Sequence, residues 1–354
     1  MVRILGGGPA GLAAAITLAR AGREVEVLER AEACGARFGG DLQGLENWTE
    51  RRDVLDELRA AGITPDFAHR PFRSAIHSNG RRDMLLTFRH PIFYLVKRGT
   101  APDTLDQRLA RQAEAAGVTI RCGATCPPED ADIVATGPDP RHAFAVASGI
   151  VFDTDSPDLA VVLTNERVTV RGYSYVLVMG GYGCLCTVLF ARFHEARAYL
   201  ERARDVLTSR YGVRIEHARP VGGVGHVAVA TRFRRGKALY VGEAAGLQDM
   251  LWGFGMRIAM ASGRLAAECL IGGRDYEAAA HAAFDRRLKA GVVNRWLWEA
   301  LRFGDYTVPL HLLALGKRPL LRAMYTYHPL FRPFYPPARV ALRKRMETGG
   351  NGRA

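Results

Sequence analysis

Residues 1–29, MVRILGGGPAGLAAAITLARAGREVEVLE, decide how the chain is built. Val2–Leu5 is a short apolar run that ends at the glycines 6, 7 and 8. Leu12–Arg20, rich in Ala and Leu, reads as a helix stopping at Ala21-Gly22. From Glu24 to Glu29 valines alternate with acids, which is the period of a strand. Gly6-x-Gly8-x-x-Gly11 thus follows a strand and opens a helix. Gly6 permits a tight turn, Gly8 has no Cβ to keep a pyrophosphate away, and Gly11 lets helix and strand pack closely. Free N–H groups and the positive dipole end of the helix face the phosphates. Glu29 ends the second strand eighteen residues after Gly11. A carboxylate there accepts the hydroxyls of an adenosine ribose and repels a 2′-phosphate. The stretch reads as a dinucleotide site that disfavours NADP.

Outward from it, Asp53–Ala61 is a second helix, and Ser74–Phe88 is a hairpin turning at Asn79-Gly80. Leu105, Leu109 and Ala113 make one stripe of a helix over Leu105–Ala116. Strands follow at Val118–Ile120 and Asp132–Ala135. Val161–Leu163, Val168–Val170 and a pair of strands within 174–191 form a β-rich region. Segment 174–191 carries no charge, but Gly180, Gly181 and Gly183 split it, so two strands fit better than a membrane span. A helix at Glu195–Tyr211, a strand at Ala238–Val241 and a helix at Met256–Leu270 close the pattern. The expected class is α/β. A discontinuous dinucleotide domain is built from 1–70, 96–150 and 226–275, with an antiparallel sheet domain from 71–95 and 151–225 set into it. Residues 276–354 form a helical, basic and aromatic C-terminal region.

Gly242-Glu243-Ala244-Ala245-Gly246 follows a strand, and Trp252-Gly253-Phe254-Gly255-Met256 opens the next helix. With the first fingerprint, these segments resemble the FAD-dependent oxidoreductases of the p-hydroxybenzoate hydroxylase fold, most closely the geranylgeranyl reductase branch. The resemblance covers roughly residues 1–275. It implies a Rossmann-like FAD-binding domain, with the acid of the Gly-x-Ala-Ala-Gly segment on the flavin ribityl chain. Here that acid is Glu243, one methylene longer than the family's Asp. Gly253, Gly255 and Met256 would approach the isoalloxazine edge, where a helix N-terminus favours the negative charge of reduced flavin. By the same resemblance Arg37 and Arg98 lie near the cofactor, each with a solvated surface Arg as the alternative. Ala135-Thr136-Gly137 is a flavoprotein turn beside it. The cofactor set is Gly6, Gly8, Pro9, Ala10, Gly11, Glu29, Arg30, Arg37, Arg98, Ala124, Thr136, Gly137, Gly242, Glu243, Gly253, Gly255 and Met256. The Asp-Gly pair of the hydroxylases and the Trp-x-Trp-x-Ile-Pro stretch of flavin halogenases are absent. The electron donor therefore stays open among NADH, NADPH and ferredoxin.

No Ser-His-Asp arrangement or metal-ligand spacing is visible, and the catalytic residues are not identified by sequence. Cys184-x-Cys186 puts two thiols on one strand face. A redox pair is one reading, and two buried structural thiols are the preferred one. Tyr173, Tyr175, Tyr182 and Phe190 fall where a largely apolar substrate pocket is expected. Asp41 and Gln43 lie in the loop after the ribose strand, within reach of the flavin. The substrate is read as a hydrophobic small molecule, by resemblance one with carbon–carbon unsaturation and of isoprenoid type, reduced through the flavin. A flavin monooxygenase on an aromatic or lipid-like compound is the alternative. A non-redox flavoprotein isomerase or cyclase comes from a different class.

The chain has 354 residues, 48% hydrophobic and 24% charged, which excludes a disordered or fibrous protein. Six scattered Cys suggest reduced thiols and a cytoplasmic setting. The net charge is +13, so acidic ligands and anionic surfaces are suitable partners. Between Arg295 and Glu347 ten Lys or Arg face three acids, with nine aromatics interleaved. Two readings stand: a segment lying on an anionic bilayer at the inner face of the membrane, or a helical cap with a solvated basic face. No nucleic-acid motif is present.

Overall fold

The structure is a computed structural model that describes residues 1–229, 231–301 and 306–347. In chain order it contains β1 (Val2–Leu5), α1 (Pro9–Arg20), β2 (Val25–Glu29), β3 (Leu42–Glu46), α2 (Val54–Ala60), β4 (His69–Phe72), β5 (Ser74–Ser78), β6 (Asp83–Thr87) and β7 (Phe93–Lys97). Then come α3 (Leu105–Ala115), β8 (Thr119–Cys122), β9 (Ile133–Val134), β10 (Ala145–Asp153), β11 (Leu159–Leu163), β12 (Tyr173–Met179), β13 (Tyr182–Leu189) and α4 (Ala196–Tyr211). The last elements are β14 (Glu216–Gly225), β15 (Arg234–Arg235), β16 (Ala238–Tyr240), α5 (Met256–Gly272), α6 (Tyr276–Ala300), α7 (Thr307–Tyr325) and α8 (Tyr335–Glu347).

The first sheet runs β15-β16-β9-β1-β2-β8 and is parallel except for the β15–β16 pair. Its middle strands β1 and β2 are almost wholly buried because helices cover the sheet. The buried acid Glu26 on β2 is held by Arg3 at 3.0 Å and Arg121 at 3.0 Å, which ties three adjacent strands together. Those hydrogen bonds, to Arg121 first, keep its carboxyl below the usual range. Helix α1 begins at Pro9, earlier than Leu12, because proline at the first helical position loses no needed N–H.

The second sheet runs β14-β10-β13-β12-β11-β5-β6 and is antiparallel apart from the β11–β5 pair. Residues 174–191 form the β12–β13 hairpin, turning at Gly180 and Gly181 with φ of 59° and 83°. Two consecutive left-handed residues suit the twist of a tight hairpin, and glycine adopts them without a Cβ clash. Ser74–Phe88 is the expected hairpin, β5 and β6. Val168–Val170 is not a strand. The carbonyl of Asn165 accepts from the amides of Val168 and Thr169, and Arg171 is left-handed, so 165–171 is a turn between β11 and β12. A third, three-stranded sheet, β3-β7-β4, joins the other two.

The C-terminal region is packed into the body. On α6, Tyr276 donates to the Tyr240 carbonyl at 3.0 Å, Arg287 reaches Glu46 at 2.6 Å, and Trp298 stacks on Tyr306 at 4.8 Å. Arg295 is fully buried, 3.8 Å from the Phe190 ring and paired with Glu299. Arg345 joins the same carboxylate from α8 at 2.6 Å. Two of the basic residues counted in the sequence thus belong to the interior.

Candidate functional site

The three fingerprint glycines do three different jobs. A Cβ on Gly6 would lie 2.4 Å from the Ala135 carbonyl oxygen, and one on Gly11 would lie 2.0 Å from the Gly6 carbonyl oxygen. Both are packing glycines. A Cβ on Gly8 would meet no protein atom within 4 Å. The space beside Gly8 is cavity, which is what an approaching phosphate needs. Gly8 caps α1 with no side-chain hydrogen bond, and no acid lies in the first turn, so the dipole end is uncompensated. Glu29 shapes the same loop. It accepts the Gly7 amide at 2.7 Å and the Ala31 amide at 2.9 Å, one on each carboxylate oxygen. Each oxygen keeps a lone-pair site for a ribose hydroxyl.

These residues open into a cavity of about 1420 Å³. Pockets for one drug-sized ligand run to ~300–1,000 Å³, so this one has room for a dinucleotide and a second molecule. Gly6, Gly8, Pro9, Ala10, Glu29, Arg30, Arg37, Arg98, Thr136, Gly137, Glu243, Gly253, Gly255 and Met256 all line it. Gly11, Ala124 and Gly242 stand behind the lining. Ala124 donates its amide to the Glu29 carbonyl. A Cβ on Gly242 would press on Ala10 at 2.9 Å, so this glycine lets the two cofactor-side loops meet.

Arg37 bridges two parts of the wall. Its guanidinium donates to Glu243 at 2.9 Å and to the Val224 carbonyl at 2.7 Å. The other Glu243 oxygen accepts the His226 amide at 3.0 Å. The acid of the Gly-x-Ala-Ala-Gly segment is thereby engaged by protein groups while still facing the cavity. Arg98 is not a surface residue. It is 5% exposed, makes a two-pronged bond to Asp106 at 2.8 Å, and reaches Gln43 at 3.0 Å. Its guanidinium also lies 4.2 Å from the Phe38 ring. Asp41 lines the same wall, and burial pushes its carboxyl above the usual range.

Past Gly253–Met256 the lining turns aromatic. Trp48, His77, Phe93, Tyr173, Tyr175, Phe190, Trp252 and Phe254 surround this end, and Leu321 of α7 closes it. Trp48 meets Phe254 edge-on at 4.7 Å. A Cβ on Gly44 would strike Phe254 at 2.4 Å, so the glycine in β3 makes the room for that ring. Tyr173, Tyr175 and Phe190 stand where sequence placed them, whereas Tyr182 lies outside the lining, with Lys97 4.7 Å from the centre of its ring. Trp48, His77 and Asp249 carried no signal in the sequence, because none belongs to a recognisable spacing. His77 is buried, touches Thr164 at 3.1 Å, and is pushed down to about 3 by burial, so it is a neutral ring at neutral pH. The Cys184 and Cys186 sulfurs lie 3.6 Å apart. Hydrogen bonding to Cys186, together with burial, pushes the Cys184 thiol up, away from thiolate chemistry. Among the described residues no group of three or more His, Cys, Asp or Glu is disposed to hold a metal.

A family model described as an NAD(P)-binding Rossmann-like domain matches residues 4–41. No curated protein matches the chain. Solved structures do. A geranylgeranyl bacteriochlorophyll reductase-like protein from Thermoplasma acidophilum superposes with a TM-score of 0.69 at 17% identity, over 98% of each chain. The flavin-dependent brominase Bmp2 gives 0.64 at 17% identity, over 98% of this chain and 99% of that one. The myxobacterial chondrochloren halogenase CndH gives 0.60 at 17% identity, over 96% of each chain. The chain therefore has the p-hydroxybenzoate hydroxylase-like fold that its motifs resemble: a Rossmann-like domain, an antiparallel sheet and C-terminal helices.

Proposed function

We propose that this protein is an FAD-dependent oxidoreductase acting on a hydrophobic substrate, of isoprenoid type, whose carbon–carbon double bond it reduces. One observation carries the reading: a single cavity joins a glycine cradle with an uncapped helix end to an aromatic chamber, and Gly253–Met256 lies between them. The structural neighbours named for flavin-dependent chemistry support the choice of FAD over a nicotinamide nucleotide alone.

The residues fit such a cofactor. Gly8 leaves the pyrophosphate path open, and the start of α1 supplies amides and positive potential to it. Glu29 would hold the adenosine ribose. Gly255 starts α5 without a side-chain cap, so that helix end offers a second set of amides. FAD when bound supplies hydride exchange with the substrate. The aromatic chamber orients an apolar molecule and excludes water from it. Buried Arg98 positions the β3 side of the wall through Gln43.

The purified protein is expected to be yellow, with a flavin spectrum near one FAD per chain. Anaerobic bleaching by NADH, NADPH or reduced ferredoxin names the donor. A colourless protein that takes up no added FAD overturns the reading. Substrate-dependent oxygen consumption would instead favour the monooxygenase, and turnover without net electron transfer the isomerase. Glu29→Ala should weaken FAD by about 1–3 kcal/mol, since charge-assisted hydrogen bonds to the ribose are lost. An unchanged dissociation constant would remove Glu29 from the adenosine site.

The outer surface of the C-terminal region supports a second partner, an anionic bilayer. Val308, Leu312 and Leu315 on α7 are 59%, 50% and 84% exposed, and Leu330 and Val340 follow at 74% and 68%. Arg332, Arg343 and Lys344 are exposed nearby in the chain. No helix among the described residues is long and apolar enough to cross a membrane. Each basic residue at an anionic surface contributes about 1 kcal/mol, and the attraction decays within a Debye length of ~10 Å at 0.1 M salt. The full chain should co-sediment with phosphatidylserine vesicles at low salt and be released at high salt. Protein that stays in the supernatant at low salt makes the basic segment a solvated face.

A further inference from the structure

His77 is a polar side chain set into the floor of the aromatic chamber. On β5 it stands opposite Val162 of β11, which stands opposite Tyr175 of β12, which in turn stands opposite Cys186 of β13. Residues in register across a sheet share one face, and all four line the cavity. The imidazole is 5% exposed. It lies edge-on to the Trp252 ring at 5.4 Å and is stacked on Trp298 at 6.1 Å. Trp252 precedes Gly253, so His77 is one ring away from the loop that opens α5.

The two ring nitrogens differ. Nε2 meets Thr164 Oγ1 at 3.1 Å. Nδ1 has no hydrogen-bond partner among the described residues, and it keeps accessible surface, unlike the closed-off Nε1 of Trp48. An unpaired nitrogen in an apolar place is costly, and a leucine would fill the position without that cost. Nearby polar groups are already engaged. The Tyr173 hydroxyl donates to the Trp252 carbonyl, and the Asp249 carboxylate accepts the Trp252 amide at 2.7 Å.

Resting on the flavoenzyme reading above, we propose that the substrate is an isoprenoid alcohol whose hydroxyl hydrogen-bonds to Nδ1 of His77. The ring is uncharged at neutral pH, because burial pushes it down to about 3. The lining of this end has no lysine or arginine, so a phosphate ester or a carboxylate would lose its hydration there without a counter-ion. If the Thr164 hydroxyl donates to Nε2, Nδ1 carries the proton and donates; if Nε2–H donates to Thr164, Nδ1 accepts. A hydroxyl suits either arrangement, whereas a carbonyl suits only the first. The hydrocarbon part is left to Leu86, Phe88, Phe93 and Leu177, which line the same end.

The test uses full-length holoprotein and reads binding by the quenching of tryptophan fluorescence, since Trp48 and Trp252 are in the chamber wall. The ligands are geranylgeraniol, the oxygen-free hydrocarbon of the same chain and geranylgeranyl diphosphate, each dispersed in detergent. Wild type should bind the alcohol at least about tenfold more tightly than either of the others, as one buried hydrogen bond provides. His77→Gln reaches Thr164 but offers no group at Nδ1, and should lose this preference. His77→Asn places its amide near Nδ1 and should keep part of it. Five results overturn the proposal: geranylgeraniol that does not bind wild type, equal binding of alcohol and hydrocarbon, tighter binding of the diphosphate, a preference undiminished in His77→Gln, or a loss in that variant shared equally by all three ligands. The wild-type comparison decides even where a variant does not fold. A colourless protein that takes up no FAD fails the function reading instead, as does dithionite-reduced flavin that bound geranylgeraniol leaves reduced without air. Both are read separately from the affinities.

Discussion

Gly8→Val is expected to give a folded, colourless protein. Gly8 has φ −84° and ψ 178°, extended backbone that valine adopts freely, and no protein atom lies within 4 Å of a Cβ placed there. The fold therefore has no reason to object. The branched side chain would instead fill the space where phosphate meets the first amides of α1, removing close approach and dipole together. Affinity for FAD should fall at least a hundredfold, about 2.7 kcal/mol. Gly11→Val is the contrasting variant. Its Cβ would sit 2.0 Å from the Gly6 carbonyl oxygen, so backbone must move and insoluble protein is expected. Circular dichroism and flavin absorbance on both variants separate ligand space from packing space. A Gly8→Val protein that holds a full complement of FAD would show that the phosphates do not pass this glycine.

Arg98→Ala should have the largest effect on stability. The Arg98 and Asp106 side chains are 6% and 1% exposed, and the carboxylate also accepts the Gly99 amide at 3.0 Å. Removing the arginine leaves a buried carboxylate without its cation, a loss of about 3–5 kcal/mol. Gln43 and the Phe38 ring lose their partner at the same time, so the cavity wall loosens. Urea unfolding of the wild type and Arg98→Ala measures this. Adding Asp106→Asn to Arg98→Ala should restore part of the loss, because the uncompensated charge goes. A single variant within about 1 kcal/mol of wild type would mean that the pair is as weak as a solvent-exposed one.

How much of this was legible in sequence depended on what each segment had to satisfy. Residues 1–29 obey local rules: a strand period, a glycine spacing dictated by sterics, and a helix rich in good formers. Their structure follows the string almost residue by residue. The Gly180-Gly181 hairpin was readable for the same reason. β14 was not, because its residues, among them Pro220, Gly222, Gly223 and Gly225, show no alternation. They are chosen for close approach, since a Cβ on Gly222 would come 2.8 Å from the Ala147 carbonyl oxygen. Val168–Val170 has strand composition, yet Asn165 competes for its amides and wins. Asp249 and His77 acquire their environments from α6, α7 and β12, far away in sequence, and no local pattern records that.

The order of the first sheet bears on how the chain is made. β9 lies between β1 and β16, and the residues of β16 follow those of β9 by about a hundred positions. A ribosome adding ~5–20 residues per second would finish the glycine cradle and then leave one edge of β9 open for roughly 5–20 s. During that interval the nascent domain has its phosphate loop but not the wall that Glu243 completes, and an unpaired parallel edge faces solvent. A chaperone or early nucleotide binding has most to contribute in that window, and slowing synthesis between residues 135 and 238 should lower the soluble yield more than slowing it after 240.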